Sequence, residues 1–553
     1  MKKIVRNLRV YLIVAAILSL ALASCTPGTP ATTQEAPVSE ATDEVPAPPN
    51  TGGGDEEDTA GEEQQGAGGN LADEQVLRIG LNGNVQMLDP HRTSSVWDHA
   101  ILNHIFSGLL RYNWNTRLPE PDLATDWEIS DDGLEYVFHL REGVQWHRGF
   151  GEFTANDVKF SIERVLDPNS QSIFASEFDL IESVDVVDDY TVRINLSSPY
   201  IPLLDKLAAL KQGFIVSQKA VEEYGEDIAT NAIGTGPFML ETWDPTNEIV
   251  LTANPDYYAG PPTLERIVIV PIEELTTLTV ALESGDVDII EVTDATTYQQ
   301  LLSNENITVV QSPSFNRVSI GLNTTVEPLN EVKVRQALAY AIDLDTIIDE
   351  LLKDVAERAY SFLGPLDFGY TEDIQIYNYD PDQARQLLAE AGYADGFEVT
   401  AVYPVGAASG ILHKCLTAIQ GYWADIGVTL NLETPDTPVA ISAMADGNIA
   451  IGGATTSRPP EPDYVLSVYF DEDGAWNYIH YDIQDLLEQG RSETDLDARR
   501  AIYEEVQRRI AEDVPAIPLA ISVYTIAMQD YVKGMVPDLF RGYWAYDVYI
   551  EDH

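Results

Sequence analysis

The sequence contains few cysteines, histidines and basic residues for its length of 553 residues. Two cysteines exclude a disulfide-stabilised scaffold, and eight scattered histidines leave little material for a histidine-rich metal site. There are 32 Lys and Arg residues against 90 Asp and Glu residues, which gives a formal net charge of −58. A field of this sign repels nucleic acid and anionic membrane surfaces, so we expect neither as a partner.

The motifs of common enzyme and cofactor chemistries are also missing. The chain has no GxxxxGK(S/T) phosphate loop, no GxGxxG after a strand, no HExxH and no CxxC. Pairs of carboxylates are frequent, but in so acidic a chain they arise by chance and are typical of a solvated surface. The sequence therefore predicts no catalytic activity, no cofactor and no metal site.

The first 24 residues have the pattern of a secretory signal peptide: Lys and Arg residues precede an apolar run at 10–23. This run would rise only ~21 Å as a helix, whereas the hydrocarbon core of a bilayer is ~30 Å thick. Residues 22–25 resemble a bacterial lipobox, which implies cleavage before Cys25 and lipidation of that cysteine. The alternative is an ordinary signal peptide in which Cys25 is incidental.

Residues 25–75 are rich in Thr, Pro, Ala, Gly and Glu, and residues 26–75 contain twelve acids and no Lys or Arg. Such a composition cannot bury an apolar core and predicts a disordered tether, with a reach on the order of 40 Å. If Cys25 carries lipid, Cys415 has no partner. We expect Cys415 to be a small buried side chain rather than a reactive thiol.

From Val76 onward, strand patterns and helix patterns alternate, which predicts α/β architecture. Strands are predicted at 76–81, 134–140, 190–196, 267–270 and 517–528. Helices are predicted at 96–110, 154–166, 332–352, 380–391, 409–426 and 496–510. In the second of these helices, Thr154 fits the N-cap and Asp157 the acid of a capping box.

Several segments, in a fixed order over residues 76–550, resemble the extracytoplasmic solute-binding proteins of peptide, dipeptide and nickel ABC importers. They are LDP (88–90), IFSGLL (105–110), LATDW (123–127), DG (132–133), FHLR (138–141), GV (143–144), WH (146–147), TANDV (154–158), GTGPF (234–238), NPDYY (254–258), SGDVD (284–288), VRQAL (334–338), AID (341–343), YDP (379–381) and AG (391–392). Each segment is weak alone. Together they are specific for the family, although not for its ligand.

The resemblance implies an α/β, two-lobed periplasmic-binding-protein fold of class II type, with an extra domain inserted in the first lobe. The first lobe is expected at 76–110, 232–315 and 515–553, the inserted domain at 111–231 and the second lobe at 316–514. The resemblance also implies that a small molecule or peptide binds in the cleft, and that the lobes close by a hinge. A membrane permease then receives the ligand. The protein is expected to be a lipid-anchored, extracytoplasmic monomer.

Two ligand-contact regions follow from the resemblance. In peptide-binding members, the segment after the first Asp-Pro pairs with the ligand, and here that segment contains Ser95, Val96, Trp97 and Asp98. The inserted domain contributes an aromatic residue, here Phe174. The alternatives are that Trp97 packs in the core of the following helix and that Phe174 belongs to the core of its own domain.

A third contact region is the segment of Thr455, Thr456, Ser457 and Arg458. Peptide binders usually have a Trp and then an acid here, and the acid binds the peptide ammonium group. When Glu461-Pro462 is aligned with the acidic-Pro pair of the family, Arg458 occupies the position of that acid. A guanidinium can bind a carboxylate or phosphate, so the sequence predicts a ligand with an anionic or hydroxyl-rich group. The alternatives are that Arg458 pairs with Glu461 or another local acid, or that a gap brings Asp463 into the site.

The ligand class stays open between oligopeptide, dipeptide, oligosaccharide and metal chelate. Two other functions are also considered. A sensor of the same fold would bind a ligand without delivering it for import. A secreted hydrolase would need a nucleophile and a base, and the sequence offers no such pair.

Overall fold

The computed structural model describes residues 70–553, except residues 94, 114–115, 209, 405–409, 472–473, 475 and 538–542. The predicted signal peptide, Cys25 and most of the predicted tether lie outside the described residues. Within the described ranges, no helix combines the length and the apolar character that a membrane span requires.

Strands and helices alternate along the described chain. The strands are β1 (Val76–Leu81), β2 (Leu110–Tyr112), β3 (Pro119–Pro121), β4 (Ala124–Ile129), β5 (Glu135–Leu140), β6 (Ile181–Asp188), β7 (Thr191–Leu196), β8 (Phe238–Asp244), β9 (Glu248–Ala253), β10 (Arg266–Pro271), β11 (Ile289–Glu291), β12 (Ile307–Leu322), β13 (Ala356–Arg358), β14 (Phe397–Val402), β15 (Val428–Glu433), β16 (Ile451–Ser457), β17 (Ala516–Gln529), β18 (Val532–Lys533), β19 (Val536–Pro537), β20 (Tyr543–Trp544) and β21 (Tyr549–Ile550). The principal helices are Val96–Ile105, Ala155–Leu166, Leu203–Ala208, Gln218–Tyr224, Leu275–Ser284, Ala295–Leu302, Val332–Tyr340, Pro381–Glu390, Gly410–Asp425, Thr437–Ala445, Pro462–Phe470, Gln484–Ser492 and Leu496–Asp513.

Eleven strands form one hydrogen-bonded sheet in the order β15-β14-β16-β12-β17-β11-β1-β10-β9-β8, with β13 paired on β17. The two long central strands, β12 and β17, are antiparallel and are hydrogen-bonded from Ile307–Gln529 to Gly321–Ala516. Near one end of this pair, β17 is also hydrogen-bonded to β11, and near the other end β12 is also hydrogen-bonded to β16. The pair therefore joins two halves of the sheet, which have separate apolar cores.

The pairing of β12 with β17 is irregular at its centre. The register shifts between Pro313 and Arg317, where three residues of β12 face Ser522 of β17. The hydroxyl of Ser314 donates to the Ser522 carbonyl at 2.6 Å, which holds the irregular segment in place. A bulge of this kind bends a strand and redirects its side chains. This one lies between the two halves of the sheet and places Phe315 and Arg317 there.

A second, four-stranded antiparallel sheet in the order β4-β5-β7-β6 lies within residues 111–231, here called the inserted segment. Its strands alternate buried and half-exposed residues, as in β5, where Tyr136, Phe138 and Leu140 are buried. These side chains pack with the helix Ala155–Leu166 in a core of their own. The predicted N-terminus of that helix is confirmed, because the Asp157 carboxylate accepts from the Thr154 N–H at 3.1 Å.

Two predicted helices end earlier than their apolar spacing indicated. The helix predicted at 96–110 ends at Ile105, and Phe106 is already extended. The helix predicted at 332–352 ends at Tyr340. Asp343 then caps a new short turn by accepting from the Thr346 N–H at 3.0 Å. A side chain that bonds to the backbone in this way competes with continuation of the helix.

Cys415 lies in the helix Gly410–Asp425 and is a completely buried free thiol, as expected. Burial raises the pKa of this thiol to about 12. The thiolate, which is the reactive form, is therefore strongly disfavoured at neutral pH.

Gly234 and Gly236 allow the chain to return from the inserted segment beneath the helix Val96–Ile105. The Gly236 N–H donates to the Ile105 carbonyl at 2.8 Å and so satisfies the end of that helix. A Cβ atom at Gly234 would lie 1.9 Å from the Ile105 carbonyl oxygen. His147 fixes the same turn, because its Nδ1 accepts from the Gly234 N–H and its Nε2 donates to the Gly236 carbonyl. Three of the family-like segments, 105–110, 146–147 and 234–238, are thus in direct contact.

We expect Gly234→Ala to destabilise the protein by at least about 2 kcal/mol, because backbone atoms must move to accept the new methyl group. Thermal unfolding of the full chain measures this change. Gly421→Ala is the matched control, because Gly421 lies within a helix and no atom lies within 4 Å of its added Cβ. There we expect a gain of about 0.5–1 kcal/mol. Equal melting temperatures for the two variants would contradict the proposed packing.

Candidate functional site

The loop after β1 is fixed to the inserted segment by Arg164. Its Nη1 and Nη2 donate to Oδ1 and Oδ2 of Asp89 at 3.0 and 2.5 Å. Nη1 also lies 2.9 Å from Nδ1 of His91, and Nε2 of His91 lies 2.9 Å from the Phe214 carbonyl oxygen. Arginine only donates, so Nδ1 of His91 accepts and Nε2 carries the proton. Burial, together with the charge of Arg164, lowers the pKa of His91 to about 4.

The same loop brings the first two predicted contact regions close together. The Ile173 N–H donates to the His91 carbonyl at 3.3 Å, and Nη2 of Arg92 donates to Oε1 of Gln171 at 2.6 Å. Phe174 follows Ile173 directly, and the predicted segment 95–98 begins four residues after His91. These two regions, which are distant in sequence, therefore lie on adjoining loops.

Three residues of the segment 95–98 hold its local structure. Ser95 is the N-cap of the helix Val96–Ile105, and its hydroxyl accepts from the backbone at residues 97 and 98. Val96 is the first helical residue and is half-buried. Asp98 is completely buried, and its oxygens accept from the Gln86 N–H at 2.7 Å and the Thr93 hydroxyl at 2.5 Å. Asp98 therefore positions the loop.

The two predicted aromatic contacts are half-buried. Trp97 packs against the core of the first half of the sheet, and a Cβ at Gly83 would lie 2.4 Å from its indole ring. Phe174 packs against the core of the inserted segment, a core that also contains Phe315 of β12. Each ring thus has a packing role and a partly exposed surface.

The third predicted region is the end of β16, which pairs with β12 beyond its bulge. Thr456 lies opposite Arg317 and Ser457 opposite Asn316. The Thr456 hydroxyl is 2.7 Å from the hydroxyl of buried Tyr469, whereas Thr455 is half-buried and Ser457 is exposed. Ser457 and the half-buried Arg458 that follows it therefore present side chains at the junction between the two halves of the sheet.

A buried ion pair beneath Arg458 was not predicted from the sequence. Nη2 of Arg317 lies 2.5 and 2.6 Å from the two carboxylate oxygens of Asp367, and both side chains are buried. Nη1 of Arg317 donates to the carbonyls of Phe315 at 2.9 Å and Arg458 at 3.4 Å. The Phe368 N–H donates to the Pro460 carbonyl at 3.0 Å. Arg317 and Asp367 thus position the backbone of the Arg458 segment and neutralise each other.

Glu461, the alternative partner of Arg458, and Asp463, the acid that a gap could bring into the site, are both bound to other arginines. Glu461 binds Arg499 and also accepts from the Tyr464 N–H at 3.0 Å. Asp463 accepts from Nε of Arg491 at 2.7 Å. Among the described residues, no ion pair involves the Arg458 guanidinium. The alternative in which Arg458 pairs with Glu461 is therefore wrong, because Glu461 pairs with Arg499.

The inserted segment contacts the region just after Arg458. The Tyr200 hydroxyl donates to Oδ2 of Asp463 at 3.2 Å, and the Ile201 N–H donates to the Arg491 carbonyl at 2.8 Å. Nζ of Lys206 lies 5.3 Å from the centre of the Tyr464 ring. Burial raises the pKa of the nearby Glu461 carboxyl to about 7, and the charges of neighbouring acids add to this effect. This contact joins the inserted segment to the helix Pro462–Phe470.

This arrangement favours noncovalent binding of an anionic group at Arg458. Nowhere in the described part of the chain are three or more His, Cys, Asp or Glu side chains grouped so that they could hold a metal ion. The same stretch of sheet carries the hydroxyl pair of Thr456 and Tyr469 and the neutralised ion pair of Arg317 and Asp367. A guanidinium with a hydroxyl beside it binds carboxylate or phosphate by charge-assisted hydrogen bonds.

Residues 119–477 match the family described as bacterial extracellular solute-binding proteins, family 5 Middle. The chain belongs to this family. Heme-binding protein A of Haemophilus influenzae is 32% identical over 81% of this chain and 87% of its own length. The dipeptide-binding protein of Escherichia coli is 28% identical over 78% of this chain and 86% of its own length.

The solved structure of HbpA2 from Haemophilus parasuis superposes on this family 5 protein with a TM-score of 0.80. The two chains are 29% identical, and the match covers 86% of this chain and 100% of the other. The predicted family and the two-lobed α/β fold are therefore confirmed. The names of the curated relatives include heme and a dipeptide as ligands, so membership of family 5 does not fix the ligand of this chain.

We expect the free energy of unfolding to fall as the pH is lowered from about 6.5 to 4, in part because of His91. The unfolded histidine gains its proton near pH 6.5, whereas the folded one remains neutral until about pH 4. This difference corresponds to on the order of 3 kcal/mol at the acidic end.

The measurement is urea unfolding of wild type and His91→Gln at several pH values. Glutamine can still accept from Arg164 and donate to Phe214, but it does not titrate, so the variant should show a shallower loss of stability. Exchange of the exposed His480 for Gln serves as a control for general effects. If the free energy of unfolding of His91→Gln falls with pH as steeply as that of wild type, His91 has the same protonation in the folded and the unfolded protein, and the prediction is wrong.

Proposed function

We propose that this family 5 protein captures a small solute between its two lobes and delivers it to the permease of an ABC importer. It binds the solute without chemical change. Membership of the solute-binding family and the two-lobed fold support this role. A ligand can shift a two-lobed protein toward its closed form only to the extent that it binds the closed form more tightly than the open form.

The proposed ligand carries a carboxylate or phosphate, or a hydroxyl-rich group that binds Arg458. The single observation behind this proposal is the guanidinium of Arg458, which is half-buried and has no ion-pair partner among the described residues. The chain has a net charge of −58, so carboxylates are abundant as potential partners. The Arg458 guanidinium nevertheless pairs with none of these carboxylates among the described residues. A guanidinium in this state can bind an anionic ligand.

The predicted contact residues have different roles in this proposal. Ser457 and Arg458, with Thr455 beside them, bind the polar part of the ligand from the second lobe. Trp97 and Phe174, on their adjoining loops, provide apolar surface from the opposite side. Ser95, Val96 and Asp98 shape the loop that carries Trp97, as their capping and hydrogen-bonding roles indicate.

We propose the domain boundaries given by the sequence, with lobes at 76–110, 232–315 and 515–553 and at 316–514, and the inserted domain at 111–231. The hinge is then the bulged pair of β12 and β17. In the closed form the inserted domain contacts the second lobe through Tyr200 and Ile201. We further propose lipidation at Cys25, a flexible tether at 25–75 and a monomer anchored at the extracytoplasmic face of the membrane.

We expect Arg458→Ala to weaken binding of an anionic ligand by at least 100-fold, because a charge-assisted contact is lost in a partly desolvated site. A thermal-shift screen would use glutathione, methionyl-leucine and gluconate as probes, since a ligand raises the melting temperature by mass action. Isothermal titration of the best probe then measures the dissociation constant in each variant.

Two controls accompany this measurement. Arg458→Lys keeps the charge but loses the two-pronged geometry, so it should recover part of the affinity. Arg500→Ala removes an exposed arginine of the helix Leu496–Asp513 and should leave the affinity unchanged. A dissociation constant that is the same in Arg458→Ala as in wild type would remove Arg458 from the site.

We expect Tyr200→Phe to open the unliganded protein. Loss of the hydroxyl removes one hydrogen bond between the inserted domain and the second lobe, and Asp463 keeps Arg491 and Ser467 as partners. The cost is about 1 kcal/mol, or roughly a fivefold change in the closed-to-open ratio. Small-angle X-ray scattering would show a larger radius of gyration.

Tyr190→Phe is the matched control for this prediction. The Tyr190 hydroxyl donates to Glu152 at 2.6 Å, and both residues belong to the inserted domain. This variant therefore also loses a tyrosine hydrogen bond, but not one that joins the two regions. The same radius of gyration in both variants would exclude a closing role for Tyr200.

A further inference from the structure

Cations at the contact between the inserted segment and the helix Pro462–Phe470 are paired with acids from their own side. The pairs are Lys206 with Glu177 in the inserted segment, and Arg499 with Glu461 and Arg491 with both Asp463 and Asp471 on the other side. These ion pairs do not cross the contact. They therefore remain intact if the two sides separate.

Asp205 differs from these acids, because its partner on its own side is neutral. The carboxyl accepts from the Tyr112 hydroxyl at 3.1 Å and is half-buried. Within the described ranges it takes part in no ion pair, and the adjacent Lys206 is bound to Glu177 at 3.1 Å. Nζ of Lys206 also lies 5.3 Å from the centre of the Tyr464 ring, so this part of the inserted segment faces the other side of the contact.

Across the contact, Asp205 meets a second carboxyl and the guanidinium bound to it. The charge of Asp205 acts on Glu461, and Arg499 attracts both carboxylates. Glu461 is 2% exposed and Arg499 is 3% exposed, so little water screens these charges. Asp463 adds a further negative charge that acts on Glu461. One guanidinium cannot compensate two buried carboxylates, so the contact favours a proton on one of them.

The other ionisable side chains that face the two carboxyls do not change charge near neutral pH. They are the phenols of Tyr112, Tyr200, Tyr464 and Tyr503. Burial raises the pKa of each of them well above the ordinary value for tyrosine. A change of charge at this contact near neutral pH therefore comes from its carboxyl groups.

Closing the contact shifts the protonation of Asp205. Burial raises the pKa of Asp205 to about 6 and that of Glu461 to about 7, against the attraction of Arg499. When the two sides separate, Asp205 returns to water, where an aspartate has a pKa of about 3.9. Between about pH 4 and 7 the closed form therefore holds more protons than the open form, and a rise in pH favours the open form.

We propose that Asp205 and Glu461 form a proton-dependent latch between the inserted domain and the second lobe. Closing takes up a proton, which one of the two carboxyls holds, and loss of this proton opens the contact by repulsion between the carboxylates. The inference rests on the lobe closure proposed above. It makes opening of the unliganded protein depend on pH in a way that no ligand has to supply.

Hydrogen exchange of the Ile201 amide measures this opening, because the Ile201 N–H donates to the Arg491 carbonyl across the contact at 2.8 Å. Pro199 and Pro202 flank this position and have no N–H, so few other amides add to the signal. In the unliganded full chain, the protection of this amide, corrected for the intrinsic effect of pH on exchange, should fall about tenfold between pH 5 and 7.5.

Asp205→Asn should remove this pH dependence and keep the amide protected over the whole range. Asparagine still accepts from the Tyr112 hydroxyl but carries no charge at any pH. Glu152→Gln is the matched control, because Glu152 accepts from the Tyr190 hydroxyl at 2.6 Å within the inserted segment. It should respond to pH as wild type does. An equal response in wild type and Asp205→Asn would overturn the latch.

Two further measurements separate this proposal from the closure on which it rests. Protected amides in β5 show that each variant is folded. If Asp205→Asn does not fold, wild type alone decides, because constant protection of Ile201 from pH 5 to 7.5 refutes the latch. Tyr200→Phe should lower that protection alike at every pH. If it does so while wild type shows no pH response, the lobes still open and only the latch is wrong. Ligand binding is tested separately by the Arg458 variants.

Discussion

The antiparallel pairing of β12 with β17 is the constraint on which the rest of the structure depends. It is the only route by which the described sheet passes from β11 to β16, so both halves take their relative position from it. Its irregular centre also sets the site, because the shift after Pro313 directs Arg317 toward Asp367 and the Arg458 carbonyl. One backbone feature therefore connects the two halves of the sheet and supports the segment proposed to bind the ligand.

Four arginines of this acidic protein form ion pairs that hold distant segments together. Arg164, Arg317, Arg491 and Arg499 are each neutralised by a partly or completely buried carboxylate, and each joins segments that are far apart in sequence. Breaking such a pair leaves a buried charge, so these contacts fix the arrangement of loops more than they add to stability. No ion pair involves the Arg458 guanidinium among the described residues, and the proposed anion site rests on this contrast with the four arginines.

Local features could be predicted from the sequence, whereas long-range ones could not. Thr154 and Asp157 are three residues apart, so the start of their helix is visible in the sequence itself. The predicted helix at 332–352 was too long because apolar spacing continues beyond Tyr340, where Asp343 begins a new turn. β12 was not predicted, and the Arg317–Asp367 pair joins residues 50 positions apart. A single sequence contains no signal for such pairings, because they depend on the assembled sheet.

The sheet order has a consequence for the way in which the molecule is made. β11 and β12 are synthesised well before β17, yet both pair with it. The first described residues likewise pair with the last ones, since Gln75 and Ala72 donate to the Ile550 carbonyl. Neither lobe can complete its sheet while the ribosome still holds the final forty residues. Such long-range pairing forms slowly, because it has to wait for the last long strand of the sheet.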